Sequence, residues 1–260
     1  MKNSIISLHL FGRLLVVAAI VIVSAACEKE SDNNDVVVIT ATGDITAKLN
    51  EFRQVLGATL NTAPGAVGGH REINWDGVPD SLLGKPLPND FFNPVGGDAT
   101  QASRQRGLLY ETVGKFMVSN TEFNSVNSLA APQFESFSGN NTFANVNSNL
   151  WQIDPKVPGE ATTATIHGMG IVFSDVDLNS STFIEFFSDA KSLGKFFAPK
   201  HDNATSFSFL GVYFKKEKVT HVRVGHDGIL EGGGKDITDG GAHDLVVLDD
   251  FLYDEPVKKQ

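Results

Sequence analysis

The hydrophobic rhythm of the chain changes three times along its first third. Residues 14–23 form an unbroken apolar run of ten, preceded by Lys2 and Arg13 and followed by the small residues Ser24, Ala25 and Ala26. A run this short does not span a bilayer as a helix. A positive start, an apolar centre and a small-residue end are the layout of a cleavable signal, so residues 1–26 read as a signal peptide. Residues 28–35 are polar and acidic, with no apolar side chain to pack, and 27–43 read as an acidic flexible tether. Residues 44–56 then place Ile45, Leu49, Phe52, Val55 and Leu56 near one face of a helix, with Asp44 to cap it and Gly57 to stop it.

After Gly57 the helical period disappears. Residues 57–105 are rich in Gly, Pro, Asn and Asp and read as long ordered loops, with a short strand around Arg71 to Trp75. From Gly107 onward, strand-like runs alternate with turn clusters: 116–119, 165–175, 182–188, 193–198, 206–214, 219–224 and 244–253. Short strands at this spacing predict a mainly β fold, an antiparallel β-sandwich of the jelly-roll, lectin-like kind. It would carry one short N-terminal helix and long loops in a single domain over 44–256, with 257–260 as a tail. Periodicity alone leaves a closed barrel open as the alternative. No repeat of 20 to 50 residues is visible, which argues against a propeller or solenoid.

Composition narrows the function classes. The 260 residues carry a formal net charge of −10, so a nucleic-acid partner held by bulk positive charge is excluded. A single cysteine makes neither an intramolecular disulfide framework nor a thiolate zinc site. Its position is informative, because Ser24-Ala25-Ala26-Cys27 resembles the bacterial lipobox, although that motif usually has Leu where this chain has Ser24. Cys27 is thus the expected lipidation site and the lipid bilayer an expected partner. Ordinary cleavage that leaves a free thiol is the alternative. The acidic residues that follow resemble the surface-export signal of Bacteroidetes lipoproteins. Together these features imply an exported lipoprotein of a Gram-negative bacterium, at the outer membrane or cell surface.

Three blocks of sequence resemble a known family when taken in order. The first holds Phe52-Arg53, Leu56-Gly57, His70-Arg71-Glu72-Ile73-Asn74-Trp75-Asp76-Gly77-Val78-Pro79-Asp80 and Phe91-Phe92-Asn93. The second is Gly170-Ile171-Val172-Phe173-Ser174-Asp175-Val176-Asp177 with Ile184-Glu185-Phe186-Phe187, and the third runs from Phe209-Leu210-Gly211-Val212 to Asp244-Leu245-Val246-Val247-Leu248-Asp249-Asp250-Phe251. They resemble a family of exported bacterial β-sandwich proteins without a defined activity, many of which carry a C-terminal sorting tail of the PEP type. The resemblance covers most of residues 51–256 and implies a fold and a location, and no reaction. The sequence departs from it in ending Val257-Lys258-Lys259-Gln260.

Two groups of residues carry candidate chemistry. Asp175 and Asp177 end one apolar strand, and Asp249 and Asp250 end another. Carboxylates converging at strand ends would suit a structural calcium ion, which takes several hard oxygen ligands. Asp175-x-Asp177-x-Asn179 begins like an EF-hand loop and then departs from it, with Ser180 in place of the Gly and Phe186 in place of the bidentate Glu. The alternative for these carboxylates is turn chemistry with local backbone amides. Asn74, Trp75 and Asp76 form the second group: the indole would stack on a sugar face while the polar pair bonds its hydroxyls. Alternatively Trp75 fills the core and Arg71 pairs with Glu72 or Asp76. The histidines show no metal-ligand or catalytic spacing, and nucleophile-elbow, phosphate-loop and zinc-protease motifs are absent from the sequence. The expected function is a non-catalytic envelope protein that binds a glycan or extracellular polymer. A matrix component without a small ligand, and a carbohydrate-active hydrolase, are the alternatives.

Overall fold

A computed structural model describes residues 35–96, 101–111, 113–202, 204–232 and 234–260. The expected signal peptide, Cys27 and the first part of the tether lie outside the described residues. The chain enters through strand β1 (Val36–Thr42), helix α1 (Thr46–Leu56) and β2 (His70–Ile73), and then β3 (Leu108–Tyr110), β4 (Phe116–Ser119), β5 (Thr142–Asn145) and β6 (Leu150–Pro155). There follow β7 (Ala164–Thr165), β8 (Gly168–Ser174), β9 (Phe183–Ser188), β10 (Lys191–Phe197) and β11 (Phe207–Phe214). The last strands are β12 (His221–Gly225), β13 (Val247–Asp254) and β14 (Val257–Lys258).

The strands form a mainly β, antiparallel sandwich. One sheet runs β1-β11-β8-β13-β5-β4, with β2 also on β13, and the other runs β10-β9-β12-β6-β3. Between β8 and β13 the chain alternates between the sheets, apart from the β9–β10 hairpin. The alternating residues of β8 show how the layers divide. Met169, Ile171 and Phe173 join the core between the sheets, whereas Val172 faces the opposite way, into the cluster under α1. All seven residues of β8 are therefore buried.

The helix forms much as its sequence period predicts. Asp44 Oδ1 accepts the Thr46 amide at 3.1 Å, and Gly57, at φ 124°, ends the helix while its amide bonds the Arg53 carbonyl. Leu49, Phe52 and Leu56 are buried against Val172, Phe209 and Leu252. Phe52 fits because Gly170 and Gly211, paired across β8 and β11, leave a socket: a Cβ on either would lie under 3.0 Å from its ring.

Both expected domain ends move outward. Residues 36–42, expected in the tether, form β1, which pairs with β11 from Val36↔Phe214 to Thr42↔Ser208. The expected tail is also ordered: Val257 and Lys258 pair with Thr165 and Ala164. The apolar run 245–248 leads into β13, whose eight residues are all buried and which lies inside the sheet between β8 and the β5/β2 edge. Among the described residues, no helix is long and apolar enough to cross a membrane.

Candidate functional site

The four aspartates expected to share one calcium ion fall into two separate clusters. The reason lies in the β8–β13 register. Leu248 pairs with Phe173 and Phe251 with Ile171, so Asp249 and Asp250 together oppose the single residue Val172 in a β-bulge. In a regular strand, consecutive side chains would face opposite sides. Here the bulge turns both toward the 137–138 segment. Asp249 Oδ2 accepts the Phe137 amide at 2.5 Å and the Ser138 amide at 3.3 Å, and the Ser138 hydroxyl donates to Asp250 Oδ1 at 2.6 Å. Asp175 lies three residues beyond Val172, roughly 10 Å along the strand, so the two pairs do not share an ion.

Burial and the neighbouring Asp250 push the Asp249 carboxyl up to about 9, against the pull of the Phe137 and Ser138 amides. Burial raises Asp250 as well, opposed by the Ser138 hydroxyl. A proton on Asp249, the carboxyl raised further, removes a charge and lets its Oδ1, which has no other partner among the described residues, donate to Asp250.

Asp250 opens onto a groove beside α1. Arg53, Leu60, Thr62, Glu72, Asn74, Arg106, Ser138 and Asp250 line a cavity of about 300 Å³. A smaller one of about 100 Å³ adjoins it and shares Glu72, Asn74 and Arg106. Glu72 is clamped by the Arg53 fork at 2.6 and 3.1 Å and by His70 Nε2 at 3.0 Å. Burial alone would raise its carboxyl, but His70 and Arg53 outweigh burial and hold it at about 2. Arg106 donates to the Ser103 and Asn61 carbonyls at 2.7 and 3.3 Å and has no carboxylate partner among the described residues. Asn74 is exposed, and its side chain makes no hydrogen bond among the described residues.

The structure places the remaining candidates differently from one another. Trp75 is 1% exposed, stacks on Phe143 at 4.0 Å and donates its Nε1 hydrogen to the Asp249 carbonyl at 2.7 Å. Its ring fills the core and offers no face to a sugar. This packing holds the residue at φ 66°, a conformation that is strained for a bulky side chain. Asp76 accepts the Asn140 amide at 3.0 Å. Arg71 pairs with neither Glu72 nor Asp76: it is fully buried and forks onto Glu255 at 2.7 and 2.8 Å.

The other cluster was only half visible in the sequence. Asp175, at φ 72° just past β8, and Asp177 meet His201 from the loop after β10. Asp236 and Asp244, from the segment before β13, bring their carboxylates within 4.8 Å of that of Asp177. Burial and the neighbouring aspartates raise Asp175 to about 8, and burial and Asp236 raise Asp177 to about 6. Asp244 is raised by burial, opposed by Ser181 and the backbone amides of Asp177 and Leu178. A cavity of about 310 Å³ opens over the group between Gln133, Lys200, Ser206 and Thr238. Only the Asp-x-Asp spacing at 175 and 177 signalled this site, because its other members come from distant loops.

No protein-family model, curated protein or solved structure matches the chain. The functional reading therefore rests on geometry.

Proposed function

We propose that the protein is a non-catalytic envelope protein, anchored through a lipid on Cys27 at the outer membrane or cell surface of a Gram-negative bacterium. Its β-sandwich binds a glycan or other hydroxylated extracellular polymer in the groove of Arg53, Asn74, Arg106, Ser138 and Asp250. The observation that carries this reading is the groove's mixture of groups: an unengaged amide at Asn74, spare guanidinium hydrogens at Arg106 and a carboxyl at Asp250. A hydroxyl group both donates and accepts, so adjacent sugar hydroxyls match a wall that offers both. Two arginines balanced by Glu72 and Asp250 leave little net charge, which disfavours a phosphate or sulfate ligand.

A hydrolytic reading draws on Glu72 and Asp250, two carboxyls in one cleft with titration pushed in opposite directions. Both Glu72 oxygens are already held by Arg53 and His70, which leaves one carboxyl free to act where a glycosidase uses two. Binding is the better fit.

The test is a glycan array and envelope-polysaccharide pull-down with the wild type, Asn74→Ala and Arg106→Ala. Binding to a saccharide that falls at least tenfold in both variants is expected. No binding to any saccharide, or binding indifferent to both changes, would remove the groove from the reading. For the anchor, wild-type chain is expected in the membrane fraction and a Cys27→Ser variant in the soluble fraction. A variant that still sediments with membranes contradicts the lipid.

A further inference from the structure

The cluster after β8 holds buried acceptors that no donor among the described residues satisfies. Asp175 Oδ2, Asp177 Oδ2 and Asp244 Oδ1 have no hydrogen-bond partner there, although their residues are only 5%, 2% and 0% exposed. Gln133 Oε1, on the wall of the same cavity, is also buried and unpartnered. A buried acceptor left without a donor is destabilising. One water donates two hydrogens, too few for four acceptors.

His201 adds an independent sign of what belongs there. Its Nδ1 lies 3.0 Å from the Thr205 carbonyl and 2.5 Å from that of Asp202, and a carbonyl only accepts, so Nδ1 carries the hydrogen. Nε2 then faces the aspartates, 3.2 Å from Asp177 Oδ1 and 3.7 Å from Asp175 Oδ1. A backbone carbonyl that fixes one ring nitrogen as donor and aims the other at a set of carboxylates is the usual arrangement of a metal-ligating imidazole. The ligand atoms of Asp175, Asp177 and His201 lie within 4.8 Å of one another, as do those of Asp177, Asp236 and Asp244.

We propose that Asp175, Asp177 and His201 bind a first-row divalent cation, Mn²⁺ or Zn²⁺, with Asp244 and Asp236 forming the rest of its acidic wall. Calcium takes oxygen ligands, whereas an imidazole nitrogen among carboxylates suits manganese or zinc. Asp244 offers Oδ1, since its Oδ2 already accepts Ser181 Oγ at 2.5 Å and the amides of Asp177 and Leu178. The cavity above leaves room for water to fill the remaining positions. The ion ties the end of β8 to the His201 loop and to the segment before β13.

The test uses the full chain purified in detergent, freed of metal with chelator and titrated calorimetrically with Mn²⁺, Zn²⁺, Ca²⁺ and Mg²⁺ separately. One equivalent of Mn²⁺ or Zn²⁺ is expected to bind at least tenfold more tightly than Ca²⁺ or Mg²⁺. Asp177→Asn and His201→Ala are each expected to weaken that binding at least tenfold, and Asp249→Asn to leave it unchanged. Circular dichroism and melting of each variant without metal show that it is folded. Binding of none of the four ions, preference for Ca²⁺, or equal affinity in folded Asp177→Asn would each overturn the assignment, the first in favour of protonated carboxyls. Retention of full affinity in folded His201→Ala would overturn the role of the imidazole.

Discussion

Two buried groups of aspartates lie along the β8–β13 pair, one in the β13 bulge and one beyond the strand ends, and solve the problem of buried charge in different ways. At the β13 bulge, Asp249 and Asp250 are met by two backbone amides and a serine hydroxyl, with Arg53 nearby. One shared proton completes that pair. Past β8, several aspartates crowd together around the His201 ring, and three of their oxygens lack a donor among the described residues. The same residue type thus makes a proton-holding pair in one place and, in the proposed assignment, a cation site in the other. What separates them is the supply of donors, because depth of burial is similar.

Four perturbations sharpen or break that contrast. The largest effect is expected from the cation: at about 100 times Kd, Mn²⁺ or Zn²⁺ should stabilise the fold by about 2.7 kcal/mol. For a domain of this size that is a rise in Tm of roughly 5–10 °C, absent in Asp177→Asn and intact in Asp249→Asn. Differential scanning fluorimetry in chelator and in metal reads it directly.

Next comes pH at the bulge. A carboxyl whose titration is raised to about 9 in the fold binds its proton more tightly there than in the unfolded chain. Stability from this group is therefore lost as pH climbs from about 4 toward about 9. The groups around it are Asp250, Glu72 and Arg53, together with the 137–138 amides. Asp249→Asn keeps an acceptor for the amides and gives Asp250 a donor, so urea melts at pH 8 should show a gain of about 1–3 kcal/mol, with little gain at pH 4. A steeper pH loss in the variant would contradict the shared proton.

A smaller effect is expected from Asp177→Asn without metal, where removing one of several crowded charges should raise stability by about 1 kcal/mol. A loss instead would mean that the His201 contact outweighs the crowding. Smallest of all is Asn74→Ala, an exposed change expected to alter stability by less than about 0.5 kcal/mol while reducing saccharide binding.

β12 was legible in the sequence because its apolar positions alternate, and β8 and β11 because their long, largely apolar runs are bounded by turn residues. β1 was missed because Val36–Thr42 follows directly on an acidic run and read as its continuation. It is an edge strand, held by β11 alone. β5 and β6 were hidden among the Asn and Gly residues around them, although Trp151 and Ile153 alternate into the core. The candidate sites were less legible still. A bulge leaves no mark that separates Asp249-Asp250 from an ordinary strand end, and nothing in the sequence signals the positive φ of the buried Trp75. His201, Asp236 and Asp244 join Asp175 and Asp177 only through the fold.

The most direct test of this contrast is a crystal of the protein grown with Mn²⁺ and measured for anomalous scattering. A single peak is expected among Asp175, Asp177 and His201, within coordination distance of their ligand atoms, with none at Asp249 and Asp250. A peak at the bulge, or an empty cluster at saturating Mn²⁺ and Zn²⁺, would contradict it.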